Sequence, residues 1–346
     1  MKKIEYHRKN ELVKTKFLYM LENAKGRDPK TVNSYANAIH EFEIFTRFSS
    51  FEKFEIKQAV GFKEYLTNKK NKITGNPISK SYLQHYTSNV REFFEWLERQ
   101  REYSKYIKFD DVQYFNISRN DRNKALATGY QESHEVSDII STIRSIASLT
   151  EVDMRNKAMI SLCLLTTPRI SAMQTARIAS IKYFKGQDAW AFVQNPNFVD
   201  TKYARQITAY FIGDVKDLYK NILDWIEYLK GKGFEDKDPL FPKIVPSFNR
   251  YGEPILILEK EYIKSQTTIR KIFERCFNDN DLPYYKPHSF RHSIVRMAMK
   301  HETSPLLISA LNQNIGHAMD VGTIISSYGT RPEHERAQIL KDFNLE

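Results

Sequence analysis

The chain has 346 residues, 41% of them hydrophobic, with 53 Lys+Arg against 42 Asp+Glu and a net charge of +11. This length suits two domains, each able to bury a core. No stretch reaches the eighteen or so consecutive apolar residues of a membrane span, and the charged start, Met1 to Lys9, lacks the apolar run of a secretory signal. A soluble, intracellular protein with no membrane partner is expected. The two cysteines, Cys163 and Cys276, fall in apolar, helical-looking stretches at no metal-ligand spacing and read as buried thiols in a reducing compartment. Charge is uneven: residues 1–110 hold 22 Lys+Arg against 14 Asp+Glu, and the remainder 31 against 28. Such an excess favours a polyanionic partner, because neutralised phosphates release condensed counterions, but it does not separate DNA from RNA or an anionic membrane.

Along the chain, apolar residues keep a helical period from Leu12 to about Gln100, and the spacing predicts helices over 10–24, 29–47, 55–69 and 79–100. The second opens on Asp28-Pro29, an N-cap followed by proline at the first helical position. In the fourth, Leu83, Tyr86, Val90, Phe93, Phe94 and Leu97 share one face. Phe93 and Phe94 therefore belong to a core and not, with Trp96, to a base-stacking platform. The loop between the last two helices carries Lys69, Lys70 and Lys72, with Lys80 just beyond it, as candidate phosphate contacts that read equally well as a soluble loop.

Residues 1–105 are thus expected to form a helical bundle, 106–126 a linker, and 127–346 a second domain. That domain starts near a helix over 133–148 and continues through 152–165, apolar almost all round and hence central. Good strand signals occur only at Ala189–Val193 and Gln206–Ile212, on either side of Asn195-Pro196-Asn197. Helices are expected at about 214–230, 265–279, 289–301, 305–313 and 332–342. The fold class is mainly α with a small antiparallel β-sheet.

The chemistry concentrates near the C-terminus, in Lys286-Pro287-His288-Ser289-Phe290-Arg291-His292-Ser293, then Gly316-His317, then Tyr328, with Arg169 upstream. Cleaving a phosphodiester with a side-chain nucleophile needs a nucleophile, cations to balance the phosphorane, and an acid for the departing 5′ oxygen. Arginine suits the second task because its planar fork bonds two oxygens at once. His288 and Arg291, three apart, share a face at the N-terminal end of a helix that begins near Pro287, where the dipole adds positive potential. His317 can donate to another phosphate oxygen, and Tyr328 is the only tyrosine after Tyr285.

These segments resemble the motifs of the tyrosine recombinases of the phage-integrase family. Thr166-Thr167-Pro168-Arg169-Ile170-Ser171-Ala172 matches a turn usually written T-G-x-R-x-S-E. His288 and Arg291 match its H-x-x-R box, Ile315-Gly316-His317 its L-G-H, and Tyr328 its nucleophile. The resemblance assigns to Lys202, before the second strand, the hairpin lysine that protonates the leaving oxygen, with Arg205 and Lys185 as competitors. His292 reads as supporting or core.

The resemblance implies an N-terminal core-binding bundle and a C-terminal α+β catalytic domain clamping double-stranded DNA. It implies a 3′-phosphotyrosyl intermediate formed without metal, ATP or other cofactor, and a homotetramer on two DNA sites, in which the helix near 337–340 docks on a neighbour. Integration, excision or rearrangement of a mobile element is the expected role, with an accessory DNA-bending or directionality protein as a possible partner, in a cytoplasmic, nucleoid-associated setting. A type IB topoisomerase with the same residues, or a catalytically silent DNA-binding regulator, remain alternatives. Three departures stand out: Thr167-Pro168 replaces the glycine-containing turn, Ala172 replaces an acidic residue, and the eleven residues from His317 to Tyr328 exceed the commonest spacing.

Overall fold

The computed structural model describes residues 6–71, 75–126, 132–201, 204–301 and 305–316. The chain divides into two compact units, Met1–Ala127 and Thr128–Glu346. The first contains α1 (Arg8–Asn23), α2 (Pro29–Phe45), α3 (Ile56–Asn68), α4 (Lys80–Glu98), α5 (Phe109–Val112) and α6 (Arg119–Leu126). Caps explain where two of the helices start: Asp28 accepts from the Thr31 N–H at 3.0 Å, and Ser79 accepts from the Tyr82 N–H at 3.1 Å. The core is aromatic. Phe42 meets Phe62 and Phe94 edge-on, with ring centroids 5.2 Å apart in each case, and Phe51 meets Phe93 likewise at 5.1 Å. Phe93 and Phe94 are fully buried, as their helical spacing predicts.

Residues 106–126, expected as a linker, fold onto this core instead. Ile107, Val112, Phe115 and Ile117 are buried in it, and Phe115 packs against Phe54 and Phe94 at 5.5 Å. The polar residues between them hide an apolar set too short in each element to give a visible period.

The second unit is built round α8 (Glu151–Thr166), which follows α7 (Val136–Ser145) and is buried at every position from Ala158 to Thr166. A capping box between Thr150 and Asp153 opens it. After α9 (Ile170–Gln174) come β1 (Ile181–Phe184), β2 (Ala189–Gln194) and β3 (Ile207–Tyr210), an antiparallel sheet of order β1-β2-β3. Its register pairs Ile181 with Phe192 and Phe192 with Ala209. Next are α10 (Lys216–Gly231), which packs along α8, a hairpin of β4 (Pro242–Phe248) and β5 (Pro254–Tyr262), then α11 (Gln266–Asn278), α12 (Ser289–His301) and α13 (Pro305–Ile315). Trp225 of α10 is buried and donates its indole N–H to the Leu240 carbonyl at 2.8 Å.

The strands at β2 and β3 lie where their sequence signals fall, whereas β1, β4 and β5 do not announce themselves. Pro242 and Pro246 interrupt β4, and β5 runs from contiguous Ile255, Leu256, Ile257 and Leu258 into charge without alternating. The helix expected near 332–342 lies outside the described residues. Among the described residues, no helix is long and apolar enough to cross a membrane.

Candidate active site

The C-terminal end of α8 is where remote segments meet. Thr167 closes the helix in the left-handed region, φ 42° and ψ 48°, and donates its N–H to the Cys163 carbonyl at 2.9 Å. A β-branched residue before a proline is doubly disfavoured there. Glycine would take this conformation freely, which accounts for the glycine of the resembling motif. The strain is held in place by what the turn does. The Thr167 carbonyl accepts from Arg291 Nε at 2.8 Å, and Arg291 is only 2% exposed. Two residues on, Arg169 takes the N-cap position of α9. Arginines 122 positions apart in sequence are therefore joined through one turn.

Two further contacts hold α12 to this place. Cys163 Sγ lies 3.8 Å from the Pro287 carbonyl, and Ser293 Oγ donates to the His134 carbonyl at 2.6 Å. Burial pushes the Cys163 thiol well above its usual range, so it stays a neutral packing group. His288 stands in the turn just before α12, one position outside the helix expected to begin near Pro287, and is exposed. Its ring meets that of His292 edge-on at 6.0 Å. His292 is buried, and its imidazole is pushed down to about 4 by desolvation and by the charges of Arg296 and Arg291. It is thus a neutral group at physiological pH, in keeping with a supporting role.

Lys202, His317 and Tyr328 lie outside the described residues. The backbone leading to Lys202 is nonetheless tied to α9: the Asp200 N–H donates to Thr175 Oγ1 at 2.7 Å, and the Asp200 carbonyl accepts from Ser171 Oγ at 3.3 Å. Of the competing cations, Lys185 occupies the turn joining β1 to β2, at the end of β2 opposite this connection, whereas Arg205 is exposed just before β3. Ala172 is fully buried, so the acidic residue usual in the resembling motif would here meet an apolar core. These hydroxyl and carbonyl clamps carry no sequence signal beyond two hydroxyls, Ser171 and Thr175, one helical turn apart.

In the first unit the lysines have separate fates. Lys69 forms an ion pair with Glu41, which also accepts from Tyr65 Oη at 2.6 Å. Burial alone would raise the Glu41 carboxyl, but hydrogen bonds from Lys69 and Tyr65 outweigh it and hold the group below its usual range. Lys80 pairs with Asp121 at 2.9 Å. Lys70 is exposed and sits at a bridge to Pro77 that closes the loop between α3 and α4; Lys72 lies outside the described residues.

The sequence profile described as the phage integrase family matches residues 130–328, more than half of the chain. None of the curated proteins matches. Among solved structures, the chain is similar to the XerH site-specific recombinase bound to palindromic difH substrate in a post-cleavage complex. That match has a TM-score of 0.63 and 16% identity and covers 95% of this chain and 84% of that one. It is also similar to the Tn1549 transposon integrase in complex with transposon right end DNA, with a TM-score of 0.61, 13% identity, and 95% and 99% of the two chains covered. A lambda integrase dimer bound to a COC′ core site gives a TM-score of 0.59 at 14% identity, over 94% of this chain and 78% of that one. The chain belongs to the phage integrase family and is a tyrosine-type site-specific DNA recombinase.

Proposed function

We propose that Tyr328 attacks a scissile phosphate of duplex DNA, its oxygen forming the P–O bond as the bond to the 5′ oxygen breaks. A 3′-phosphotyrosyl link and a free 5′ end result. Arg169 and Arg291 balance the charge of the phosphorane, His288 and His317 donate to its oxygens, and Lys202 supplies the proton to the leaving 5′ oxygen. A 5′ hydroxyl from a partner strand then attacks the phosphotyrosine and releases Tyr328, so the bond energy is conserved and no ATP is consumed.

The observation that carries this reading is the Arg291 Nε bond to the Thr167 carbonyl, which unites the two arginines. The first unit supplies phosphate contacts, from the exposed Lys70 directly, and from Lys69 and Lys80 on exchange of their carboxylates for phosphate; Lys72 is assigned the same role from its place in the sequence. Relatives of similar fold hold DNA, and a lambda integrase tetramer is bound to a Holliday junction. These favour a homotetramer on two sites that integrates or excises a mobile element; an accessory DNA-bending or directionality protein is part of the proposal on the family resemblance alone.

The test is a denaturing gel for a covalent protein–DNA adduct. Tyr328→Phe should abolish the adduct with binding near that of the unaltered protein, because only the nucleophilic oxygen is lost. Arg291→Ala should weaken both, since it removes a ground-state contact as well. Equal loss of DNA binding in the two variants would overturn these roles.

A further inference from the structure

Among the described residues β3 is an edge of its sheet, and at Tyr210 its outer side is met by the Asn314 side chain. Asn314 Oδ1 accepts from the Tyr210 N–H at 2.7 Å, while Asn314 Nδ2 donates to the Tyr210 carbonyl at 2.8 Å. The amide thereby makes the pair of bonds that a neighbouring strand would have made. Asn314 is 9% exposed and lies on α13 between the buried Leu311 and Ile315, where an apolar residue would satisfy the helix better.

Two positions on, Gly316 adopts φ 71°, and a Cβ there would overlap Ile207 Cδ1 at the other end of β3. The residues directly before His317 therefore grip β3 at its first and last positions. β3 in turn follows the segment of Lys202, and the Ile212 N–H just beyond it donates to the Leu165 carbonyl of α8 at 2.9 Å, next to the turn that holds the two arginines.

We propose that Asn314 is a positioning residue for strand cleavage. Its amide sets the register of the end of α13 on β3, and so the place of His317 relative to Lys202 and the arginines. The proposal rests on the roles given above to His317 and Tyr328. A merely structural clamp would lower stability and slow every variant alike. A positioning residue acts through His317, and its effect vanishes when that imidazole is gone.

The decisive experiment is a double-mutant cycle on single-turnover adduct formation. The probe is a duplex recovered by binding to the unaltered protein from a random-sequence pool. Asn314→Leu should slow adduct formation by about tenfold or more while duplex affinity changes by no more than about twofold, and it should have little further effect in the His317→Ala background. Losses that multiply in the double variant would assign Asn314 to general stability and overturn the proposal. Asn314→Asp, equal in size but setting an oxygen against the Tyr210 carbonyl, serves in the cycle if the leucine variant does not fold. An adduct that forms at an unchanged rate in both Asn314 variants sinks this inference alone. No adduct with the unaltered protein sinks the Tyr328 reading, and this inference with it.

Discussion

The phenylalanine core of the first unit and the end of α8 in the second are organised by opposite means. In the first, Phe42, Phe62 and Phe94 meet by shape, each on a helix whose own period already sends it inward, and Phe115 joins them from a short turn. In the second, segments far apart in sequence are tied by side chains bonding to backbone: Arg291 to Thr167, Thr175 and Ser171 to Asp200, Asn314 to Tyr210. Apolar packing is tolerant of small shifts, whereas a hydrogen bond loses its worth within a few tenths of an ångström. The difference suggests a division of labour in which one region supplies stability and the other gives up local comfort for position.

The largest effect tests the first half of that contrast. Phe94→Ala should cost about 3–5 kcal/mol, because it deletes a fully buried ring in contact with Phe42, Phe51 and Phe54. Hydrogen exchange should speed up at the amides of α2 and α4 and stay slow in α8. Equal acceleration in α8 would mean that the two cores open as one.

The His292 imidazole sharpens the second half. Its value in the folded protein is about 4, below the ordinary value of about 6.5. The unfolded chain gains the proton first as pH falls, so stability is complete above pH 6.5 and declines between there and pH 4, by on the order of 3 kcal/mol. Urea midpoints at both ends of that window should converge between the unaltered protein and His292→Gln at the acid end. Parallel curves would show that His292 titrates as an exposed histidine does.

Gly316→Ala should be next in size. The added methyl meets Ile207 and a left-handed backbone together, costing about 1–3 kcal/mol, and slows adduct formation more than it weakens DNA binding. The smallest change is Thr167→Gly. Relief of the left-handed strain, about 1–2 kcal/mol, is offset by the lost burial of Cβ and its methyl group, about 1.6 kcal/mol, so thermal unfolding should shift little. A large fall in stability would mean that the threonine side chain, and not its carbonyl, holds the turn.

Much of this was legible in advance. The period of Leu83, Val90, Phe93, Phe94 and Leu97 located α4, Asp28-Pro29 the start of α2, and the apolar character almost all round from Met159 onward the central helix. The hairpin of β4 and β5 was hidden by its prolines and its lack of alternation, and residues 106–126 were hidden by apolar groups too sparse to show a period. Lys69 and Lys80 looked like free cations because the carboxylates that pair with them, Glu41 and Asp121, are distant in sequence.

Sequence by itself determined the helices, the order Arg169, His288, Arg291, His317 and Tyr328, and the family those residues announce. Such features depend on residue type and on spacing within a segment, which the linear chain carries intact. Only tertiary structure decided that the Thr167 carbonyl holds Arg291, that Asp200 is clamped by α9, and that Asn314 completes the edge of β3. Each of these bonds uses a backbone group, which every residue possesses, so nothing in the identity of Thr167, Asp200 or Tyr210 marks it as a partner until the fold brings the donor within reach.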